Sequence, residues 1–273
     1  MQASPHRMLR LSRTGGNTIT KRQFNSDTAA LVQRLRAYES TVYDLEKWII
    51  KQVKLHQDMK VLDLGCGTGK QMFALHRFLS SESKIVGIDI SSDAVARVNQ
   101  RAEKEGITNV KAMICHLDDV TTYFKESRFD LILSTYAIYY SKDMLSLLSS
   151  LRRLLNDKGQ VFVCGYGKGT NQEFYDLVNK LVNDESRKIG SIGDFMGKQD
   201  IAHAATSYSS YRVVRLANTV VFRSAESVLA WWKNHNSYIP ELHREVCHTI
   251  DQYLKKNGSF TMTKNVLGVL YES

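Results

Sequence analysis

Five short apolar runs alternate with helical patterns between residues 60 and 164, and this alternation constrains the fold more than any other feature. The runs cover residues 60–64, 84–90, 110–117, 129–134 and 160–164. Near-continuous hydrophobicity over so few residues is typical of strands covered on both faces. The segments between them carry apolar residues at spacings of three and four, which indicates helices. The sequence therefore predicts βαβ units and an α/β fold with a doubly wound, mostly parallel sheet.

The order of these units also predicts where a ligand binds. Right-handed crossovers bring the carboxyl ends of all parallel strands to one edge of the sheet. That edge is expected to hold the segment 65–69, Asp89, Asp118 and the segment 134–140. Residues with binding or catalytic roles should lie there.

A glycine-rich turn, Gly65-Cys66-Gly67-Thr68-Gly69, follows the first run and opens a helix. Glycine permits a sharp turn and close approach of a ligand to the backbone. Asp89 ends the second run, where one carboxylate can accept hydrogen bonds from two ribose hydroxyls. The combination predicts a ligand that contains a nucleoside.

The glycine spacing and a nearby acid narrow the choice of ligand. Dinucleotide sites carry G-x-G-x-x-G, whereas this chain has G-x-G-x-G. Asp63, inside the preceding strand, would repel a pyrophosphate and attract a cationic amino group. A ligand with an adenosine half and an amino-acid half fits both features, and S-adenosylmethionine is such a ligand.

The same residues resemble a known family. The segment 61–69, Val-Leu-Asp-Leu-Gly-Cys-Gly-Thr-Gly, is similar to motif I of the class I S-adenosylmethionine-dependent methyltransferases. The resemblance runs from about residue 60 to residue 167 and includes the segments 87–91, 116–119 and 129–134. It implies a seven-stranded sheet whose last strand is antiparallel, and an enzyme that uses S-adenosylmethionine and releases S-adenosylhomocysteine.

The resemblance also implies roles for individual residues. Asp63 and the loop Gly65, Cys66, Gly67 and Gly69 would hold the methionine end, and Asp89 the ribose, with Ile90 against the adenine. Asp118 would accept from the adenine amino group, framed by Leu117 and Asp119. Ser134 to Tyr136 would pass beneath the sulfonium.

Candidates for catalysis and acceptor binding follow from the residue types near this edge. Many relatives carry Ala-Leu-His-His where this chain has Ala-Ile-Tyr-Tyr at 137–140, so a histidine base is absent. Tyr136, Tyr139 and Tyr140 are the catalytic candidates, because aromatic faces attract cations. For the acceptor we expect Tyr140, His203, Trp231 and His235. The histidines lack a metal-binding spacing, so no metal is expected.

The remainder of the chain predicts a cap. Helical patterns cover residues 174–181, 225–233 and 241–255, and strand patterns cover 211–222 and 260–271. We therefore expect three parts: an N-terminal arm with lid helices (1–55), a Rossmann-like core that binds S-adenosylmethionine (56–168), and the rest of the sheet with a helical substrate cap (169–273). Phe24 and Tyr38 of the arm are expected over the cofactor, as in relatives.

Positive charge is concentrated in the N-terminal part of the chain. The formal net charge is +9, and the first 60 residues carry +6 of it. This arm fits a solvated segment, a contact with RNA, or a transit peptide. The four cysteines form no CxxC pair and no apolar run is long enough to span a membrane, so a cytoplasmic protein is the default expectation.

Three functions remain open at this point. The first is methyl transfer to a nitrogen or oxygen of a small molecule, a metabolite or natural product, favoured by the enclosed cap. The second is methylation of RNA or tRNA, favoured by the basic arm, although no appended RNA-binding motif is present. The third is a non-catalytic subunit that binds S-adenosylmethionine. The oligomeric state is open.

Overall fold

A computed structural model describes residues 28–29, 32–33, 41–185, 188–235 and 237–273 of the chain. Seven strands form one sheet. They are β1 (Lys60–Leu64), β2 (Lys84–Asp89), β3 (Val110–Ile114), β4 (Phe129–Thr135), β5 (Leu155–Tyr166), β6 (Ser210–Phe222) and β7 (Phe260–Glu272). The strand order is β3-β2-β1-β4-β5-β7-β6.

Strand directions confirm the predicted fold class. β1 pairs in parallel with β2 and β4, and the parallel pairing continues to β3 and β5. β7 lies antiparallel between β5 and β6. The sheet is therefore mostly parallel, doubly wound and seven-stranded, with an antiparallel last strand.

Helices cover both faces of the sheet and one edge. They are α1 (Leu45–Ile50), α2 (Lys70–His76), α3 (Ser92–Lys104), α4 (Val120–Tyr123), α5 (Met144–Leu151), α6 (Gln172–Leu181), α7 (Lys198–Ala205), α8 (Ala225–Lys233) and α9 (His243–Asn257). No helix within these described ranges is both long and apolar enough to cross a membrane.

Capping side chains explain where several helices begin. Ser91 Oγ accepts from the Ala94 amide at 3.3 Å, so α3 begins where the sequence predicts. Asp143 caps α5 and Ser224 caps α8 in the same way. Each cap satisfies an amide that the first helical turn leaves without a partner.

The core has two layers, one on each face of the sheet. In β1, Val61 packs with Phe73 of α2 on one face, and Leu62 packs with Leu148 of α5 on the other. Both β1 side chains are fully buried, which explains the unbroken apolar run.

Strands β6 and β7 extend beyond the carboxyl ends of the parallel strands, and the helices of the cap pack on this extension. Tyr166 at the end of β5 pairs with Val266, so the earlier part of β7 continues past the carboxyl edge. In this extension, Val220 and Met262 are buried among α6, α8 and α9. They form one cluster with Phe174 and Trp231. The cap is therefore one apolar cluster that includes strand residues as well as the predicted helices.

Two segments differ from the sequence-based expectation. The fifth strand, predicted as the run 160–164, begins earlier: α5 ends at Leu151, a 3₁₀ turn continues to Leu154, and β5 begins at Leu155, which pairs with Phe129. The residues before the predicted run form an irregularity within β5, with Lys158 at φ 65°. The short helix α7 was not predicted, because two glycines and polar residues precede it and leave little periodic signal.

The N-terminal segment contacts the far edge of the sheet. Thr41 forms a bridge with Val220, and the Asn218 side chain bonds both the amide and the carbonyl of Tyr43. Phe24, Tyr38 and the basic residues before Asp27 lie outside the described residues.

Candidate active site

The loop after β1 is built from glycines with left-handed backbone. Gly65, Gly67 and Gly69 have φ angles of 70°, 52° and 77°. The amides of Gly65 and Cys66 both donate to Ile88 O, at 2.8 and 2.9 Å. A Cβ on Gly65 would lie 2.3 Å from the Cβ of Ala137. The loop therefore requires glycine for backbone conformation and for space.

Asp63 lies inside β1 just before this loop. Its side chain is 2% exposed, and Oδ1 has no hydrogen-bond partner among the described residues. Burial, with a smaller contribution from the charge of Asp89, raises the pKa of Asp63 to about 7. An unpartnered carboxylate oxygen in the interior is costly, and a cationic ligand group would relieve that cost.

Asp89 joins the end of β2 to the glycine loop. Its Oδ2 accepts from the Gly67 amide at 2.9 Å, and its Oδ1 accepts from the Ser91 amide at 2.9 Å. Ser91 Oγ lies 2.8 Å from Thr28 Oγ1, so the N-terminal segment reaches this point. Ile90 is 44% exposed and leaves its side chain available to a ligand ring.

Asp118 connects the turn after β3 with the turn after β4. Its Oδ1 accepts from Ser141 Oγ at 2.6 Å and from the Lys142 amide at 3.2 Å. Leu117 points into the core and Asp119 is exposed. Of these three predicted adenine contacts, Asp118 is the one whose carboxylate spans the two turns.

The end of β4 lies directly beside the glycine loop. Ser134 is fully buried, and its hydroxyl donates to Leu64 O at 3.1 Å. Tyr136 follows with φ 58°, and its amide donates to Cys164 O at 2.8 Å. A left-handed tyrosine costs roughly 1–2 kcal/mol and persists because neighbouring strands hold it.

The three candidate catalytic tyrosines occupy different surroundings. Tyr139 packs against Tyr140, Tyr166 and Phe195, with ring centroids at 4.8, 5.2 and 5.9 Å. Burial raises the pKa of Tyr139 well above its usual value, so its hydroxyl stays protonated at neutral pH. Tyr140 is 40% exposed at the rim of this group.

The acceptor candidates divide into two locations. Trp231 is fully buried in the cap and packs against Phe174 at 5.2 Å and against His235 at 4.9 Å. Trp232 is also fully buried, so neither tryptophan faces solvent. His203 is exposed on α7, in a shallow groove that Asp143 shares.

Lys264 is a residue that the sequence analysis missed. It lies on β7, and its Nζ is 4.7 Å from the centroid of the Tyr136 ring. Burial lowers the pKa of Lys264 to about 8. The signal that could have found it is a lysine within the predicted strand 260–271, which is otherwise without a charge.

Comparison with known proteins identifies the family and the fold. Residues 55–218 match the family model described as a methyltransferase domain, which is more than half of the chain. The chain is 28% identical over 102 residues to aklanonic acid methyltransferase DauC of a Streptomyces species, covering 37% of this chain and 46% of that relative. It is 29% identical over 115 residues to (S)-coclaurine N-methyltransferase of Papaver somniferum, covering 42% of this chain and 31% of that relative.

These alignments span less than half the length of either curated relative. Among solved structures, phosphoethanolamine N-methyltransferase 2 of Haemonchus contortus, in complex with phosphomonomethylethanolamine and S-adenosylhomocysteine, superposes with a TM-score of 0.58 at 15% identity. That superposition covers 94% of this chain and 60% of the other, and it shows a shared fold. With the family match, the glycine loop and the sheet topology together, the chain belongs to the class I S-adenosylmethionine-dependent methyltransferases.

Proposed function

We propose that the protein transfers a methyl group from S-adenosylmethionine to a nitrogen or oxygen atom of a small-molecule acceptor. The observation that carries the proposal is Asp63 Oδ1, a buried oxygen with no hydrogen-bond partner in the described residues, next to three left-handed glycines. A pyrophosphate would meet repulsion at this oxygen, whereas a cationic amino group would be stabilised. The donor set therefore fits an amino-acid moiety linked to a nucleoside.

Each part of the cofactor has residues that suit it. Asp63 and the amides of the glycine loop would hold the methionine end, and Asp89 the ribose. Ile90 and the turn that contains Leu117, Asp118 and Asp119 would surround the adenine. Ser134 and Tyr136 would lie beside the reacting end.

Bound S-adenosylmethionine supplies a methyl group that its sulfonium already activates. The work left to the protein is to align the acceptor and to keep water away. The Tyr136 amide donates to Cys164 O and so restrains the backbone that carries the ring, and an aromatic face attracts a cation. Tyr139 stays protonated and can donate a hydrogen bond to an acceptor oxygen, with Tyr140 at the rim.

A small acceptor is supported by the cap. The extension of β6 and β7, with α6, α8 and α9, forms an apolar cluster over the carboxyl edge of the sheet. Aklanonic acid, (S)-coclaurine and phosphomonomethylethanolamine appear in the names of similar proteins, and all three are small molecules. We place Tyr140 and His235 on the acceptor side, with Trp231 packed behind His235 in the cap, and His203 as a candidate on α7.

Calorimetric titration tests the cofactor first, and a labelled-methyl assay then tests the acceptor. We expect micromolar binding of S-adenosylmethionine and S-adenosylhomocysteine, and no heat with NADH. Incubation with methyl-labelled S-adenosylmethionine and panels of amines, phenols and carboxylic acids should label a small molecule, detected by mass spectrometry. Binding of NADH alone would overturn the proposal.

Two other results would point to the alternative functions. Label that appears in RNA, with binding that weakens steeply as salt rises, would favour an RNA or tRNA methyltransferase. Tight cofactor binding without label in any acceptor panel would favour a non-catalytic subunit.

A further inference from the structure

Lys264 extends from β7 over the carboxyl edge of the sheet. Tyr166, the last residue of β5, pairs with Val266, so Lys264 lies two positions beyond the end of β5. Its Nζ lies 4.7 Å from the centroid of the Tyr136 ring. The antiparallel direction of β7 thus brings a cation to the end of β4.

Two neighbours connect this lysine with the glycine loop. Tyr136 is followed by Ala137, which is so close to Gly65 that an added Cβ there would lie 2.3 Å away. On the other side, Lys70 follows Gly69 directly and pairs with Glu46 of α1 at 3.3 Å. Lys264 therefore contacts the residue beside Ala137 and lies within electrostatic range of Lys70, at the other end of the loop.

Groups that shift the pKa of Lys264 lie on α1, at the start of α2 and on β5. Burial is the largest influence and lowers its pKa to about 8, and the positive charge of Lys70 acts in the same direction. Glu46 and the Cys164 thiol oppose this shift, and the Tyr136 ring face also favours the protonated form. The balance leaves an amine that changes protonation close to neutral pH.

We propose that Lys264 is the proton acceptor in methyl transfer, an inference that rests on the proposed function. Lys264 Nζ takes the proton that the acceptor N–H or O–H loses, and the electron pair left on the acceptor forms the bond to the methyl carbon. The pair of the broken sulfur–carbon bond stays on sulfur. The positive charge thus passes from the sulfonium to the Lys264 ammonium, and solvent later removes the proton.

This role requires Lys264 to respond to the charge on sulfur. A sulfonium nearby favours the neutral amine, because two positive charges repel in a desolvated site. A thioether carries no charge and permits the ammonium. S-adenosylmethionine and S-adenosylhomocysteine differ in that charge, so their relative affinity reports the protonation of Lys264 without an acceptor.

The test measures the dissociation constants of both ligands by calorimetry from pH 6 to 9. In the unmodified protein, we expect the ratio of the S-adenosylmethionine constant to the S-adenosylhomocysteine constant to fall about tenfold as the pH rises through about 8. The ligand amino group and Asp63, at the amino-acid end, also titrate in this range, and neither is removed by Lys264→Met. The change that Lys264 causes is therefore the difference between the unmodified protein and Lys264→Met at each pH.

Matched variants separate the effect of the positive charge at position 264 from the effect of the side chain that carries it. Lys264→Met should give a low ratio without the fall near pH 8, and Lys264→Arg a high ratio without that fall. Lys60→Met, at the opposite edge of the sheet, should keep the pH dependence of the unmodified protein. Affinity for S-adenosylhomocysteine within about twofold in Lys264→Met shows that the site is folded.

The possible outcomes distinguish the role of Lys264 from the proposed function. A protein that binds neither ligand would overturn the proposed function. A protein that binds both, with a ratio that is constant with pH or is unchanged by Lys264→Met, would overturn the role of Lys264 and leave the proposed function standing.

Discussion

Asp89 Oδ2 accepts a 2.9 Å hydrogen bond from the backbone amide of Gly67, so the end of β2 fixes the loop after β1. The other carboxylate oxygen accepts from the Ser91 amide, at the start of α3. The residue that we expect to bind the ribose therefore also positions the loop that would hold the rest of the cofactor. Binding and loop geometry are coupled through one side chain.

Asp89→Ala should weaken binding of S-adenosylhomocysteine by roughly 10–100-fold, because hydrogen bonds to a charged group contribute about 1.5–3 kcal/mol. Calorimetry measures the effect. The matched control is Asp93→Ala, which removes an exposed carboxylate paired with Arg97 and should change affinity less than twofold. Unchanged affinity in Asp89→Ala would refute the ribose assignment.

Asp63 should make the cofactor-free protein less stable as the pH rises. Its folded-state pKa is about 7, above the ordinary value of 3.8, so the folded state holds an extra proton between these values. Stability then falls as the pH rises from about 4 through 7.

Asp63→Asn removes this loss, and urea unfolding at pH 5 and 8 measures it. From pH 5 to pH 8, we expect the free energy of unfolding to fall by roughly 2–4 kcal/mol more in the unmodified protein than in Asp63→Asn. The same variant should bind S-adenosylhomocysteine more weakly, because the cationic amino group loses its partner. Equal pH dependence in both proteins would contradict the prediction.

Gly65→Ala should destabilise the protein by more than the strain of a left-handed alanine alone. Gly65 and Gly106 have φ angles of 70° and 66°, but an added Cβ clashes with Ala137 at the first and meets nothing within 4 Å at the second. Gly106→Ala should cost about 1–2 kcal/mol, the price of a left-handed alanine.

Gly65→Ala should cost at least about 3 kcal/mol, since overpacking adds to that strain, and should abolish cofactor binding. Thermal unfolding and calorimetry on the two variants measure both effects. Similar losses in the two variants would show that the contact with Ala137 is unimportant.

Trp231→Ala should destabilise the protein by about 3–5 kcal/mol, because it opens a cavity in the core of the cap. The exposed neighbour Lys233→Ala should change stability by less than about 0.5 kcal/mol. Affinity of Trp231→Ala for S-adenosylhomocysteine should stay within about threefold, since the glycine loop lies outside the cap cluster. Loss of cofactor binding at unchanged stability would be inconsistent with a packing role.

Much of the sheet could be predicted from local sequence. Strands covered on both faces read as unbroken apolar runs, and a serine or aspartate before a helix fixes its start, as Ser91 does for α3. The segment 155–159 was harder, because a turn and an irregular strand share the same residues, and long-range pairing of Leu155 with Phe129 selects the strand.

The positions of the candidate site residues were predictable where local backbone or place in a strand decides them. Gly65, Gly67 and Gly69 require left-handed backbone, and Asp63 and Asp89 follow from their places at the ends of strands. The burial of both Trp231 and Trp232 was not predictable. Helical periodicity identifies one buried face of a helix, whereas the cap buries two faces of α8.

The sequence by itself determined the alternation of strands and helices, the glycine loop and the acids beside it, because these depend on residues near one another in the chain. Tertiary structure alone decided which distant side chains meet. The contact of Lys264 with Tyr136 and the bond of Asp118 to Ser141 arise because antiparallel β7 and the order of the parallel strands bring separate segments to one edge. Periodicity within a segment carries no information on that proximity.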